Sequence, residues 1–431
     1  MFQAAKHLSR ALPSAGNIRA ATCSCLGFST ATPQDPVPLA DNDPGGLHPV
    51  TPGDTFHESQ YRVLRKLGQG RYSIVWLAAD SLSRKDVALK ILRADCYGTS
   101  NDIFELEMLE KISEAGYQHL QGAGQVTRLL NHFKHCGPNG NHICLVLDVW
   151  GHHIGHEAQR YSQRRIPVRV MKEVVRQILL GLDFLHRQCG IIHTDLKPSN
   201  ILIDIENTDD AIPRYLQETA STSDTQPKTV ASQSITEVVT SRRLADRESF
   251  KICIIDLGVS SWLDKHLSEN IQPPLLRAPE VTLGAPWGPP VDIFSLGCLI
   301  IELTKGHRCF PGSAASNGAW TAEDDRLAQM IEVLGPFPDS LLSRGSKTDQ
   351  FFKSQGGLRR IDSAQLESTS LKNLMDGENP ALQRPADMSD EDLELLIDFL
   401  EGTLMLDPNL RKTALELLEH PWLKAEDEVT R

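Results

Sequence analysis

Two hydrophobic periods divide the chain. Tyr61-Arg62-Val63-Leu64-Arg65-Lys66-Leu67 and Val75-Trp76-Leu77-Ala78 alternate or run apolar on either side of Gly68 and Gly70, which predicts a hairpin of two strands. Asp86 to Leu92 predicts a third strand and His142 to Val149 a further buried one. Between them, Ile103 to Ile112 has helical spacing, with Leu106, Leu109 and Ile112 on one face. After Val168 the apolar residues recur at helical spacing almost to the end. The expected fold class is α+β in two lobes. A small antiparallel-sheet lobe with one key helix spans 61–150, and a larger, mainly helical lobe spans 151–423.

Other stretches break these periods. Residues 35–60 are rich in Pro, Gly and Asp and read as a linker. Residues 205–248 carry Asp, Thr, Ser, Gln and Pro with few large apolar side chains, and read as a disordered spacer inside the second lobe. Residues 424–431 form a short tail. Residues 1–34 hold Lys6, Arg10 and Arg19 but no acid, since Asp35 is the first. Two readings stay open there, a mitochondrial transit peptide or a disordered tail, and localisation follows whichever holds.

Composition narrows the function classes. The net charge of −12 argues against direct nucleic-acid binding and suits a basic protein substrate, as it also suits plain solubility. The nine cysteines include no Cys-x-x-Cys pair, so neither a disulfide framework nor a zinc site is expected, and a reducing compartment is. No apolar run reaches the roughly 18 residues needed for a bilayer, so no membrane association is expected.

Four separated motifs carry candidate chemistry. Gly68-Gln69-Gly70-Arg71-Tyr72-Ser73-Ile74-Val75 is a glycine-rich loop, where the missing side chains let backbone N–H groups approach phosphate oxygens. Alone it is equally a plain hairpin turn. Val87-Ala88-Leu89-Lys90 ends an apolar strand on a lysine that can hold the α- and β-phosphates of a nucleotide. Its carboxylate partner is expected to be Glu105, the acid in best register with Leu106, Leu109 and Ile112. His193-Thr194-Asp195-Leu196-Lys197-Pro198-Ser199-Asn200 fits H-x-D-x-x-x-x-N. In it Asp195 would orient an acceptor hydroxyl and take its proton, Lys197 would steady the transferring phosphoryl group, and Asn200 would bind Mg2+. Asp256-Leu257-Gly258 follows an apolar strand, and Asp256 would hold the Mg2+ that bridges the β- and γ-phosphates. Glu280 with Arg411, and Asp292 below the catalytic loop, are expected bracing residues.

These motifs, in this order, resemble the eukaryotic protein kinases, and Lys197 two residues after Asp195 is the serine/threonine-kinase habit. Within that superfamily the stretch from Tyr61 to Leu423 resembles the SR-protein kinases of fungal type. Ser73 stands at the third glycine position, Thr194 replaces the usual arginine, Leu257 replaces phenylalanine, Gly151-His152-His153 follows the hinge strand, a spacer separates Asn200 from Asp256, and His420-Pro421-Trp422-Leu423 closes the domain. The resemblance implies ATP and Mg2+ as cofactors and a monomeric enzyme that phosphorylates serines in Arg/Ser-rich protein segments in cytoplasm and nucleus. It implies nucleotide contacts from Leu67, Gly68, Gln69, Gly70, Ser73, Val75, Ala88 and Lys90. It also implies a hinge of Asp148, Val149 and Trp150 behind Leu147 as gatekeeper, and a docking groove for basic substrate using Asp325 and Glu332. Three departures are His307 in place of an acid, Pro273 in place of threonine and Pro274 in place of a basic residue.

Thr194 offers no charge for a loop phosphate, and Ser268 is the one hydroxyl between Trp262 and Glu280. Activity without loop phosphorylation is therefore expected. Two rival readings are a pseudokinase scaffold and a small-molecule kinase. The full set of phosphate-handling residues weighs against the first, and the Ala278-Pro279-Glu280 segment with its long helical tail against the second.

Overall fold

The computed structural model describes residues 44–98, 102–116, 120–220, 242–379 and 382–424. Residues 1–34 lie outside them, as do nearly all of 424–431.

The small lobe is one antiparallel sheet of β1 (Thr55–Phe56), β2 (Tyr61–Gln69), β3 (Ser73–Asp80), β4 (Lys85–Leu92), β5 (Leu129–Gly137) and β6 (Gly140–Leu147), in spatial order β1-β2-β3-β4-β6-β5. Period-2 alternation sends the two faces of β4 to different places. Val87, Leu89 and Ile91 join Phe56, Tyr61, Val63 and Trp76 on the outer face. Leu92 packs on the opposite face, against Leu106, Met108 and Leu109 of helix α1 (Glu105–Glu114). Lys90 shares that inner face. The helix begins at Glu105, two residues after the expected start, because Phe104 adopts left-handed backbone with φ of 53°.

Strand β5 was not legible in the pattern. Its one buried residue is Phe133, as befits an edge strand whose other side chains are partly covered or exposed. The linker expectation for 35–60 also needs correction. From residue 44 the chain lies on the lobe, with Leu47 and Phe56 in its core and β1 paired to β2.

The large lobe is built around α3 (Val168–Asp183) and α6 (Pro290–Lys305), with α2 (Ile154–Gln159) before α3 in the chain and α4 (Thr208–Ala220) and α5 (Pro279–Leu283) between the two. Helix α3 runs on into a π turn at Phe184–Cys189. The short pairs β7 (Ile191–Ile192) with β10 (Ser261–Trp262), and β8 (Ile201–Ile203) with β9 (Ile252–Ile254), hold the segments between the lobes. Helix α6 is buried on all sides, which is why its sequence is apolar all round. Helix α7 (Ala322–Leu334) starts in a capping box of Thr321 and Asp324.

The disorder expected across 205–248 does not hold for 205–220 or 242–248, and residues 221–241 lie outside the described residues. Helix α4 occupies its first third, and Ala211, Ile212 and Tyr215 pack on Leu77, with Leu64, Leu67 and Val149 beside them. The Arg65 guanidinium lies 4.3 Å over the Tyr215 ring. At the far end Leu244 is buried, its N–H donating to Glu157 at 2.7 Å, and Arg247 grips Asp204 at 2.9 Å. A few apolar residues at helical spacing are enough to cover a patch the sheet already exposes, and averaging over a long polar stretch hides them.

Candidate active site

Lys90 sits mid-strand, opposite Val75 on one side and Leu145 on the other. Its ammonium is 2.6 Å from Glu105 and 2.9 Å from Asp256. Burial alone would favour the neutral amine. The carboxylates of Asp256 and Glu105 outweigh it and raise the lysine above its ordinary value. Lys90 in turn holds Asp256 down to about 2, while burial raises Glu105. Lys90 and Asp256 therefore remain charged across the physiological range. Leu257, fully buried, packs beneath α1 with Leu106 and Leu109, which ties the position of Asp256 to that of Glu105.

The catalytic loop is braced from below by Asp292. Its carboxylate accepts the backbone N–H groups of His193 and Thr194, both at 2.8 Å, and His186 lies at 2.9 Å. Glu280 and Arg411, both fully buried, pair at 2.7 Å. Lys197 donates to Asp195 at 2.5 Å, and the Asn200 amide donates to the same carboxylate at 3.0 Å. Thr194 (φ 63°), Asp256 (φ 69°) and Gln272 (φ 64°) all adopt left-handed backbone, a conformation that costs a non-glycine residue about 1–3 kcal/mol and clusters at functional sites. The Thr194 hydroxyl donates to Val259 at 2.6 Å, so the residue in place of arginine anchors the activation segment directly.

The glycine-rich loop has the open geometry expected of a phosphate cradle. A Cβ at Gly68 would meet no atom within 4 Å, and Gly70 meets only Ser73. Gly70 donates its N–H to the Ser73 carbonyl at 2.9 Å, and Ser73 itself is buried. In the segment expected to be the hinge, the Asp148 carboxylate accepts a two-pronged pair of bonds from Arg128, each at 2.9 Å. Val149 and Leu67 meet α4, a neighbour that sequence reading missed.

The expected docking acids stand differently. Asp325 and Glu332 share α7, but Asp325 is buried and accepts from the Ser313 N–H and Gln329, both at 2.9 Å. Glu332 accepts the Glu367 N–H at 3.2 Å. Both carboxylates hold loops in place rather than forming a free acidic pair. A second residue was missed outright. Gln272 is buried and donates to Val291 and Ser295 while accepting from the Ala278 N–H. Its cue was only its place before two prolines.

A lysine–glutamate pair, an aspartate at the start of a loop, and an aspartate–lysine–asparagine cluster in one cleft between a sheet and a helical lobe define a protein kinase. Residues 61–423 match the protein kinase domain family. A serine/threonine-protein kinase SRPK of Physarum polycephalum is 34% identical, over 89% of this chain and 90% of that one. Protein kinase dsk1 of Schizosaccharomyces pombe is 31% identical over 88% and 83%, and human SRSF protein kinase 3 is 25% identical over 92% and 91%. The chain belongs to the protein kinase family, and within it to the SRPK-type serine/threonine kinases. It is an ATP-dependent phosphotransferase acting on protein substrates, and nothing supports the scaffold alternative.

Proposed function

We propose that this kinase acts as a monomer and transfers the γ-phosphoryl group of Mg2+-ATP to serine hydroxyls in Arg/Ser-rich protein segments. The observation that carries the reading is the assembled Lys90–Glu105–Asp256 triad facing the Asp195–Lys197–Asn200 cluster. Lys90 holds the α- and β-phosphates. Leu67, Val75, Ala88 and the backbone of the Leu147–Trp150 hinge enclose the adenine, and the backbone of Gly68, Gln69 and Gly70 covers the phosphates. Asp195 aligns the acceptor hydroxyl and takes its proton, and Lys197 steadies the charge on the transferring group.

The residues fit Mg2+. The Asn200 amide nitrogen is engaged with Asp195, so its oxygen faces away from that bond, and the Asp256 side chain is 43% exposed to the cleft. Two hard oxygen donors plus nucleotide phosphates are the usual Mg2+ set. When bound, the ion would neutralise charge on the phosphate oxygens.

The Arg/Ser preference draws on the relatives' names and on the net charge of −12, not on Asp325 and Glu332. The test is transfer of labelled γ-phosphate to an Arg/Ser-repeat peptide and to a matched peptide with Lys for Arg. At least about tenfold higher kcat/KM on the first, or about 1.4 kcal/mol in the transition state, is expected. Equal values would remove the substrate assignment, and no transfer to any protein would remove the kinase reading.

A further inference from the structure

The segment before β2 is a built part of the small lobe, and its docking surface is a group of histidines. Gly45 donates its N–H to Asn139 at 2.7 Å, and the Asn139 side chain donates to Leu47 at 2.6 Å. His48 then enters the lobe. Its ring centroid lies 4.6 Å from His135 on β5, 5.0 Å from His142 on β6 and 5.7 Å from Phe56. It fills the space that a side chain at Gly137 would need, since a Cβ there would come within 2.3 Å of its Nδ1. That Nδ1 and the Nε2 of His142 are buried without hydrogen-bond partners. The other ring nitrogen of His142 bonds the Leu92 carbonyl at 2.8 Å, so the unpartnered one carries the lone pair of a neutral imidazole.

The same segment reaches toward the active site. Gly46 and Gly45 accept the N–H groups of Ala94 and Asp95 at 3.2 and 3.1 Å. The turn formed by Ala94–Cys96 accepts the Ile103 N–H through Cys96 at 3.4 Å, and Ile103 stands two residues before Glu105.

We propose that residues 44–56 are a strap latched by the neutral rings of His48, His135 and His142, that it positions α1 and the Lys90–Glu105 pair, and that it releases when His48 gains a proton. Three imidazoles in contact cannot all be charged. The titratable groups that act on His48 are His135 from β5, His142 from β6 and Asp54 within the strap, while the turn carries its own Arg93–Asp95 pair at 3.1 Å. Burial, then His135 and His142, pull His48 from its ordinary 6.5 down to about 4, with Asp54 opposing, and burial lowers the other two as well. A histidine that binds protons more weakly when docked than when free makes docking full above the free value. Docking is lost as pH falls from 6.5 toward about 4, by up to about tenfold per pH unit for each such ring. The catalytic consequence rests on the role given to Lys90, whereas release of the strap does not.

Hydrogen exchange of the full chain separates the two. Between about pH 7.5 and pH 5.5, corrected for intrinsic rates, protection of residues 45–56 should fall about tenfold or more while amides of α6 hold, with kcat falling in parallel. In His48→Phe, which keeps a ring against Phe56, both changes should shrink below about threefold. Constant protection in the wild type, an equal fall in the variant, or simultaneous loss in α6 overturns the latch. Strap release with kcat unchanged overturns the positioning role alone, and leaves the assignment of Lys90 to be judged by its own variants. Should His48→Phe lack protection even at neutral pH, His135→Phe decides. It removes one opposing charge and should move release to lower pH, and an unmoved midpoint sinks the proposal.

Discussion

Gln272 donates to the Ser295 hydroxyl at 2.8 Å, and Ser295 passes the bond on to the Leu276 carbonyl at 2.9 Å. The activation segment is thereby fastened to α6 by neutral hydrogen bonds, in a region where many kinases use a loop phosphate. Within the segment, the charged Arg277 guanidinium also donates to the carbonyls of Ile271 and Gln272 at 3.0 Å. Pro273 and Pro274 fix φ and reduce the entropy that ordering must offset. Phosphatase-treated protein made in bacteria should keep its full rate, and Ser268→Ala should leave it unchanged. Gln272→Ala strands buried partners and should cost about 1–3 kcal/mol of stability and about tenfold or more in kcat. Silencing by phosphatase, reversed by an upstream kinase, would show that a phosphate is the true fastener.

Asp195→Asn keeps the shape of the loop but not the base. Turnover should fall by about 10²–10⁴ while ATP affinity stays within about threefold, because Lys90 and Asp256 are untouched. Nucleotide titration followed by fluorescence, beside steady-state kinetics, checks both halves. Turnover near wild type would take Asp195 out of the chemistry.

Helix α4 predicts a divided response in the spacer. Tyr215 is fully buried against the side of the sheet that carries Leu67, next to Val149 of the hinge. Tyr215→Ala should destabilise the protein by about 3–5 kcal/mol and raise the KM for ATP more than it lowers kcat. Replacing residues 221–241 by a short Gly/Ser linker should preserve both. A linker that abolishes folding, or an alanine that changes nothing, would refute this division.

Glu157 sets an acid limit on stability. Burial alone would raise its carboxyl, but bonds from His152, the Leu244 N–H, Tyr161 and Arg160 hold it down to about 2, against an ordinary 4.5. The unfolded chain takes up the proton first as pH falls. The contribution, on the order of 3 kcal/mol, is therefore full above about pH 4.5 and lost between there and pH 2. Urea unfolding at neutral pH should show Glu157→Gln less stable than wild type, and the gap should narrow below pH 4.5. A gap that stays constant would mean that the carboxylate's charge is not what the network uses.

The local period of the sequence determined the two lobes, the strands β2, β3, β4 and β6, and the residues at the centre of the cleft. Those features rest on short-range rules. Alternation places Lys90 on the inner face, helical spacing places Glu105 beside Leu106 and Leu109, and the motif around Asp195 is contiguous. Elements held by contacts distant in sequence were decided only by the fold. The strap at 44–56 reads as linker until Leu47 and His48 find the outer face of the sheet, and β5 has little apolar content because it is an edge. Helix α4 is stabilised by a patch that includes Leu77, a residue well over a hundred positions earlier in the chain, and Gln272 gains its meaning from α6. Asp325 and Glu332 make the same point in reverse. Their spacing on α7 is a helical face in the sequence, but whether a carboxylate on that face is free depends on loops that fold back to claim it, and here Ser313, Gln329 and Glu367 do. Periodicity reports which side of an element is buried; only the packed chain supplies the partner that buries it.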